Sequence, residues 1–266
     1  MASVTLNSLA IAIYLLASGY LALRLKRSQE PGRHWLLGSV CVALLLHGAG
    51  VFTLIAYKDV LELGFFRVSS LLFWTINLIV LLSSLKKPLH NLFVLLLPLS
   101  ALAVLASLIG SGTGRPMTLD YQLASHVLLS ILAYSLLTIA TLQALLLAWQ
   151  NRQLKHHHPT GRVRLLPPLQ TMESLLFEVL WAGQILLTLS IVSGFIFLDN
   201  LFGQNVAHKS LFSMAAWVIY SVLLWGRHYL GWRGYTAIRW TLSGFALLML
   251  AYFGSKLVLE LILGRY

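Results

Sequence analysis

The sequence has little charge, few acids and almost no sulfur chemistry. Only 10% of its 266 residues are charged, against about a quarter in ordinary soluble domains. Eight residues are acidic against 19 basic. A single cysteine, Cys41, excludes an internal disulfide, a CxxC redox pair, a thiolate metal cluster and the CxxCH attachment of c-type haem. No HExxH, Walker A, GxSxG or paired-acid constellation is present, so the residues make no case for catalysis and the chain is read as a non-enzyme. Of seven prolines, only Pro98 falls inside an apolar run. With no internal repeat visible, this weighs against a transporter built from inverted repeats and broken helices.

What fills the chain instead is hydrocarbon. Hydrophobic residues make up 58% of it, and a mean hydropathy of +0.81 leaves little room for a water-soluble domain. Eight apolar segments stand out, at 3–23, 35–57, 68–85, 92–109, 122–149, 175–198, 211–225 and 240–263. They bracket the ~20 residues that a membrane-spanning helix requires. The expectation is an all-α, polytopic membrane helix bundle of about eight transmembrane helices, forming one integral-membrane domain over 1–266.

The connections alternate in charge. Arg24, Lys26, Arg27, Arg33, Lys86, Lys87, Arg152, Lys155, Arg162, Arg164, Arg227, Arg233 and Arg239 belong to one side, and only Lys58, Arg67, Arg115, Lys209 and Arg265 to the other. Basic loops stay in the cytoplasm, which predicts that both termini lie outside, on the periplasmic face. The net charge of +11 then reflects cytoplasmic loops, and no nucleic-acid partner is expected. Trp35, Trp149, Trp225, Trp232 and Trp240 fall at the same rim, as an interfacial aromatic belt would. The first segment has no basic residue before it and reads as an uncleaved anchor. His156, His157 and His158 sit side by side in the longest loop and read as a solvated basic stretch.

Polar residues inside a bilayer are expensive, and each suggests function or helix packing. In the fifth segment Gln122, His126, Ser130 and Tyr134 recur every four residues. Successive members shift by about 40° around a helix, so all four share one face, which should point into the bundle. His126 opens the apolar run, and a neutral imidazole there carries a donor and an acceptor that need partners. Of the nine histidines, His47, His126 and His208 map to the outer side of the membrane. Two readings stand side by side: hydrogen bonds to neighbouring helices, or axial ligation of a haem iron by two imidazoles from different helices. In the second, Trp74, Trp217 and Tyr134 would wall the haem, and Lys209, Arg67 or Arg115 would meet its propionates. Glu178 is read as snorkelling to the interface or pairing with a cytoplasmic arginine, Gln184 and Thr188 as interhelical hydrogen bonds, and Lys256 with Glu260 as a neutralising i, i+4 pair.

Three stretches carry a family resemblance. HVLLSILAYSLLTIATLQALLLAWQ, HKSLFSMAAWVIYSVLLWGRHYLGWRG and IRWTLSGFALLMLAYFGSKLVLE are similar to consecutive helices of the cytochrome c assembly superfamily, the CcsA, CcmC and CcmF type. Together they suggest its smaller YpjD/HemX-like branch of inner-membrane proteins, with the likeness most specific over 122–263. The resemblance implies a multi-pass protein of the bacterial inner membrane that binds or handles haem, as non-covalent haem b, in relation to cytochrome c biogenesis. It transfers a haem-ligand role to His126 and gives Lys209, Trp217 and Tyr220 a scaffold role. The superfamily's haem-presenting members carry a Trp-rich, WxWD-like loop before this penultimate helix. Here that loop reads LDNLFGQNVAH, without a tryptophan, and the family's inner histidine falls at Trp225, with His228 three residues on. An accessory role is therefore expected, with His208 as the second ligand on geometry and His47 as the runner-up. The alternatives are a membrane scaffold or regulator acting on another membrane or cytoplasmic protein, for example in haem biosynthesis, and a small-solute transporter.

Overall fold

A computed structural model describes residues 2–27, 29–57, 60–62, 64–110, 116–117, 121–155, 166–197 and 207–254. Eight α-helices run through them: α1 Ala2–Lys26, α2 Arg33–Ile55, α3 Phe65–Ser84, α4 Phe93–Ile109, α5 Tyr121–Lys155, α6 Leu169–Phe197, α7 Ala207–Tyr229 and α8 Tyr235–Met249. In hydrocarbon a chain must pair its backbone groups internally, and a helix does this within one segment. Within the described residues each expected apolar segment coincides with a helix, apart from Ala56 and Tyr57 at the end of the second, which are strand; 255–263 of the last segment lie outside the described residues. Seven of the helices are long and apolar enough to cross a membrane, among the described residues. The eighth, α8, continues past Met249 as a π-helical turn over Leu250–Gly254. The all-α multi-pass architecture expected from the sequence is thus the one observed.

Two features go beyond that expectation. Helices α5 and α6 overrun their apolar runs, ending at Lys155 and starting at Leu169. The added turns are rich in Gln, Leu, Met and Lys, which propagate a helix readily once it is nucleated. At 35 residues, α5 spans about 52 Å, well beyond a hydrocarbon core of about 30 Å. A small antiparallel sheet also forms from β1 Ala56–Tyr57, β2 Val60–Glu62 and β3 Pro116–Met117, in the order β1-β2-β3. Tyr57 pairs with Val60 and Leu61 with Met117, so a hairpin between α2 and α3 is joined by the chain leaving α4.

The chain forms two compact units, 1–118 with 153–167, and 119–152 with 168–266. In the first, α1 packs on α2 and α4, and α3 on α2 and α4, closing a four-helix ring. Its inward stripes are spaced three or four residues apart. On α1 they are Asn7, Ala10, Tyr14, Ala17 and Leu21; on α2, Leu36, Val40, Ala43, His47 and Val51. Leu16, Leu45 and Phe52 face outward and are largely exposed, as lipid-facing residues should be. Arg33, at the start of α2, donates to the carbonyls of Ser84 and Leu85, both at 2.8 Å, and so caps the end of α3 with a cation.

In the second unit α7 packs on α6 and α8. Buried small residues let helices approach: a Cβ at Gly244 would come within 2.8 Å of the Tyr220 ring, and one at Gly183 within 2.8 Å of Leu137. The turn between α7 and α8 is held by Gly231 and Gly234, at φ +65° and +56°. Glycine enters this left-handed region without the Cβ penalty.

Candidate functional site

The two described histidines singled out by the sequence occupy opposite chemical situations. His47 lies on the inward stripe of α2 and is fully buried. Its Nδ1 is 3.0 Å from the Tyr14 hydroxyl on α1, and its Nε2 is 2.9 Å from the Ser70 hydroxyl on α3. A hydroxyl can donate or accept, so either tautomer is satisfied. The imidazole thereby ties three helices together and has no nitrogen to spare. Ligation of an iron by His47 would require one of these bonds to be surrendered. Beside it, the Trp74 indole donates to the Leu44 carbonyl at 2.9 Å, across the space left by Gly48. Trp74 therefore serves the helix packing of this unit.

His126 is different. It sits about one turn into α5, half-buried, and its Nδ1 is 3.0 Å from the Ser193 hydroxyl on α6. Ser193 lies 2.8 Å from the carbonyl of Ser190. A carbonyl can only accept, so the single proton of Ser193 goes to it and Ser193 must accept from His126. The ring then carries its proton on Nδ1, and Nε2 keeps a bare lone pair. The Ser190 backbone is a further hydrogen-bond neighbour of the ring. A second pair of serines runs alongside. Ser130 donates to the His126 carbonyl at 2.7 Å, and its hydroxyl is 2.7 Å from that of Ser190, which donates in turn. Three serines on two helices thus surround His126, with Ser193 on its ring, Ser130 on its carbonyl and Ser190 bridging to Ser130.

The polar face of α5 continues below this point. The Tyr134 hydroxyl donates to the Leu248 carbonyl on α8 at 2.6 Å. That carbonyl lies just before the π turn, where the regular i to i+4 register is lost and backbone acceptors are freed. The Tyr134 ring also meets Tyr252 edge to face at 5.8 Å. Gln122, the first member of the stripe, is exposed. The stripe inferred from spacing therefore does face neighbouring helices, with His126 and Ser130 on α6 and Tyr134 on α8.

Trp217, on α7, is 36% exposed; its indole donates to Thr188 at 2.8 Å, and its carbonyl accepts from Gln184 at 3.1 Å. Gln184 also donates to Ser221 at 2.8 Å, so the expected polar pair on α6 binds α7. Tyr220 is buried against α8. Lys209 stands in the first turns of α7 and is half-buried. His208 belongs to the backbone of the same turn, but its side chain lies outside the described residues, as do those of Lys256, Glu260 and His156 to His158. The acid that meets Arg227 is Glu173, at 2.9 Å, while Glu178 is exposed. Sequence reasoning missed Ser190 and Ser193. The signal was there in SIVSG, small residues three apart on a helix, a common mark of a close helix contact.

Comparison with known proteins agrees with this architecture. The family model described as "Cytochrome C assembly protein" matches residues 35–263. Inner membrane protein YpjD of Escherichia coli K12 is 40% identical over 137 residues, 52% of this chain and 52% of its own length. An uncharacterized 28.8 kDa protein of Azospirillum brasilense is 35% identical over 141 residues, again 52% of each chain. Protein HemX of Brevibacillus brevis is 27% identical over 134 residues, 50% of this chain and 49% of its own. The chain thus matches about half the length of these curated relatives, and no solved structure matches it. The family match covers most of the chain, the apolar helices are those of a multi-pass inner-membrane protein, and the chain belongs to the cytochrome c assembly protein family.

Proposed function

We propose that the chain is a membrane-embedded haem-binding or haem-handling protein, related to cytochrome c biogenesis factors, in which His126 offers Nε2 as an axial ligand of non-covalent haem b. The observation that carries this reading is the Ser193 hydroxyl 3.0 Å from Nδ1 of His126, which favours a proton on that nitrogen. A metal-bound histidine typically donates its other ring N–H to a fixed acceptor, which sets the tautomer and the ring direction. Ser193 fills that role here, with its own proton committed to Ser190. His47, saturated by Tyr14 and Ser70, is the contrasting case of a packing histidine. Bound haem would supply an iron that takes imidazole nitrogen at its axial positions. The chain's residues would hold and orient it: His126 by its lone pair, Trp217 by an aromatic edge, and Lys209 by a cation for a propionate. His208, whose backbone belongs to the first turn of α7, is the candidate second residue to hold the iron. The basic loops are proposed to face the cytoplasm, with both termini outside. Without a Trp-rich loop before α7, the role is accessory to haem attachment.

The test is the absorption spectrum of protein purified in mild detergent from haem-supplemented cells, beside His126→Ala, His208→Ala and His47→Ala. A Soret band with sharp reduced α and β bands, lost or altered in the first two variants, is the expected result. Loss in His126→Ala alone would keep haem and move the second ligand elsewhere. Well-folded protein without stoichiometric haem would overturn the reading in favour of a scaffold that acts on a partner protein.

A further inference from the structure

The turn between α7 and α8 is built more firmly than a connection needs to be. The Arg227 guanidinium lies 4.5 Å from the centre of the Phe177 ring, donates to Glu173 at 2.9 Å and reaches back to the Trp232 carbonyl at 3.2 Å. The amides of Leu230 and Trp232 both bond the Gly226 carbonyl, at 2.9 and 3.1 Å. Gly226 has no Cβ, and the Trp232 ring occupies the space one would fill. Trp232 then stacks on Trp240 of α8, ring centres 5.2 Å apart. Each tryptophan of this pair is followed or preceded by an arginine, Arg233 and Arg239. Both arginines are exposed, and neither makes a hydrogen bond or ion pair among the described residues. On the adjoining end of α7, Trp225 and Tyr229 are 55% and 70% exposed.

An aromatic pair flanked by two free guanidinium groups, at the end of apolar helices, suits one kind of occupant. It needs phosphate negative charge at the headgroup level and acyl chains against the exposed aromatic rings. Tryptophan and tyrosine settle at that depth, and arginine forms paired hydrogen bonds with phosphate. We propose that this turn is a binding site for an anionic diacyl phospholipid of the leaflet it faces, with Arg233 and Arg239 on the phosphate and Trp225 and Tyr229 along the acyl chains. Charge complementarity selects the occupant: Arg227 is neutralised by Glu173, whereas Arg233 and Arg239 are not neutralised within the described fold. The site lies within the second unit and does not depend on haem.

The test is native mass spectrometry of the delipidated full chain, titrated with phosphatidylglycerol or with phosphatidylcholine of the same acyl chains. Wild type is expected to retain phosphatidylglycerol preferentially. Arg233→Gln with Arg239→Gln should weaken that retention about fivefold per arginine, as expected for a basic residue near an anionic lipid surface. Arg27→Gln, an exposed arginine in the first unit, should leave it unchanged. Glycerol phosphate lacks acyl chains and should not compete, which separates a lipid from a free phosphate. Equal retention in wild type and the double variant, or no preference between the two lipids, would overturn the proposal. Both outcomes are readable with haem absent, so they stand apart from the fate of His126.

Discussion

Replacing His47 by leucine should destabilise the first unit without touching the haem spectrum. The imidazole holds Tyr14 at 3.0 Å and Ser70 at 2.9 Å, so the change deletes two hydrogen bonds that join α2 to α1 and α3. Interhelical hydrogen bonds in membrane proteins average about 0.6 kcal/mol and reach about 1.7 kcal/mol. Ser70 can recover by bonding a carbonyl one turn back, as Ser69 does to Phe65 at 2.7 Å. Tyr14 has no such escape, because its rigid ring carries the hydroxyl away from its own backbone. A buried hydroxyl left without a partner costs about 1–3 kcal/mol. The expected loss is therefore about 2–4 kcal/mol. It would be read as the shift in an unfolding titration of detergent-solubilised protein with a denaturing detergent. Tyr14→Phe should cost less, since it removes one bond and the stranded group together. A loss below about 0.5 kcal/mol for His47→Leu, typical of an exposed substitution, would refute the account of His47 as a three-helix tie. So would disappearance of a haem spectrum that His126→Ala leaves intact.

Other perturbations have equally definite outcomes. Ser193→Ala frees the Nδ1 proton of His126 and should weaken haem retention about 10- to 100-fold, the usual effect of removing an outer-shell partner; Ser193→Thr should preserve it, and equal haem titrations of all three proteins would refute the tautomer argument. Gly244→Ala places a Cβ 2.8 Å from the buried Tyr220 ring and should cost about 1–3 kcal/mol in the same unfolding titration, partly recovered by Tyr220→Leu. Arg227→Met strands Glu173 and releases the Trp232 carbonyl. A cost of about 1.5–3 kcal/mol is expected, and the double variant with Glu173→Gln should be less than additive in a mutant cycle.

The helices were legible because the bilayer makes hydrocarbon length and helix length the same constraint. The eight apolar segments mark α1 to α8, while the extensions of α5 to Lys155 and of α6 from Leu169, and the small β1-β2-β3 sheet, needed the folded chain to be seen. The face shared by His126, Ser130 and Tyr134 was legible for a similar reason, since helical periodicity fixes angles on a single helix.

What periodicity does not carry is the azimuth and depth of the neighbouring helix, and every chemical distinction at the site depended on that. His47 and His126 look alike in sequence, each a histidine in an apolar run. Only packing puts hydroxyls on both nitrogens of His47 and on one nitrogen of His126. Ser190 and Ser193 read as small interface residues until α6 turns their hydroxyls onto α5, where they assign a proton. Glu173 meets Arg227 where the guanidinium lies over Phe177, a pairing that no spacing in the sequence signals. By itself the sequence determined that this protein lives in a membrane as a multi-pass helical chain, and which residues share a face. The tertiary structure decided which polar groups were already satisfied, because a hydrogen bond requires two partners and the sequence displays them only one at a time.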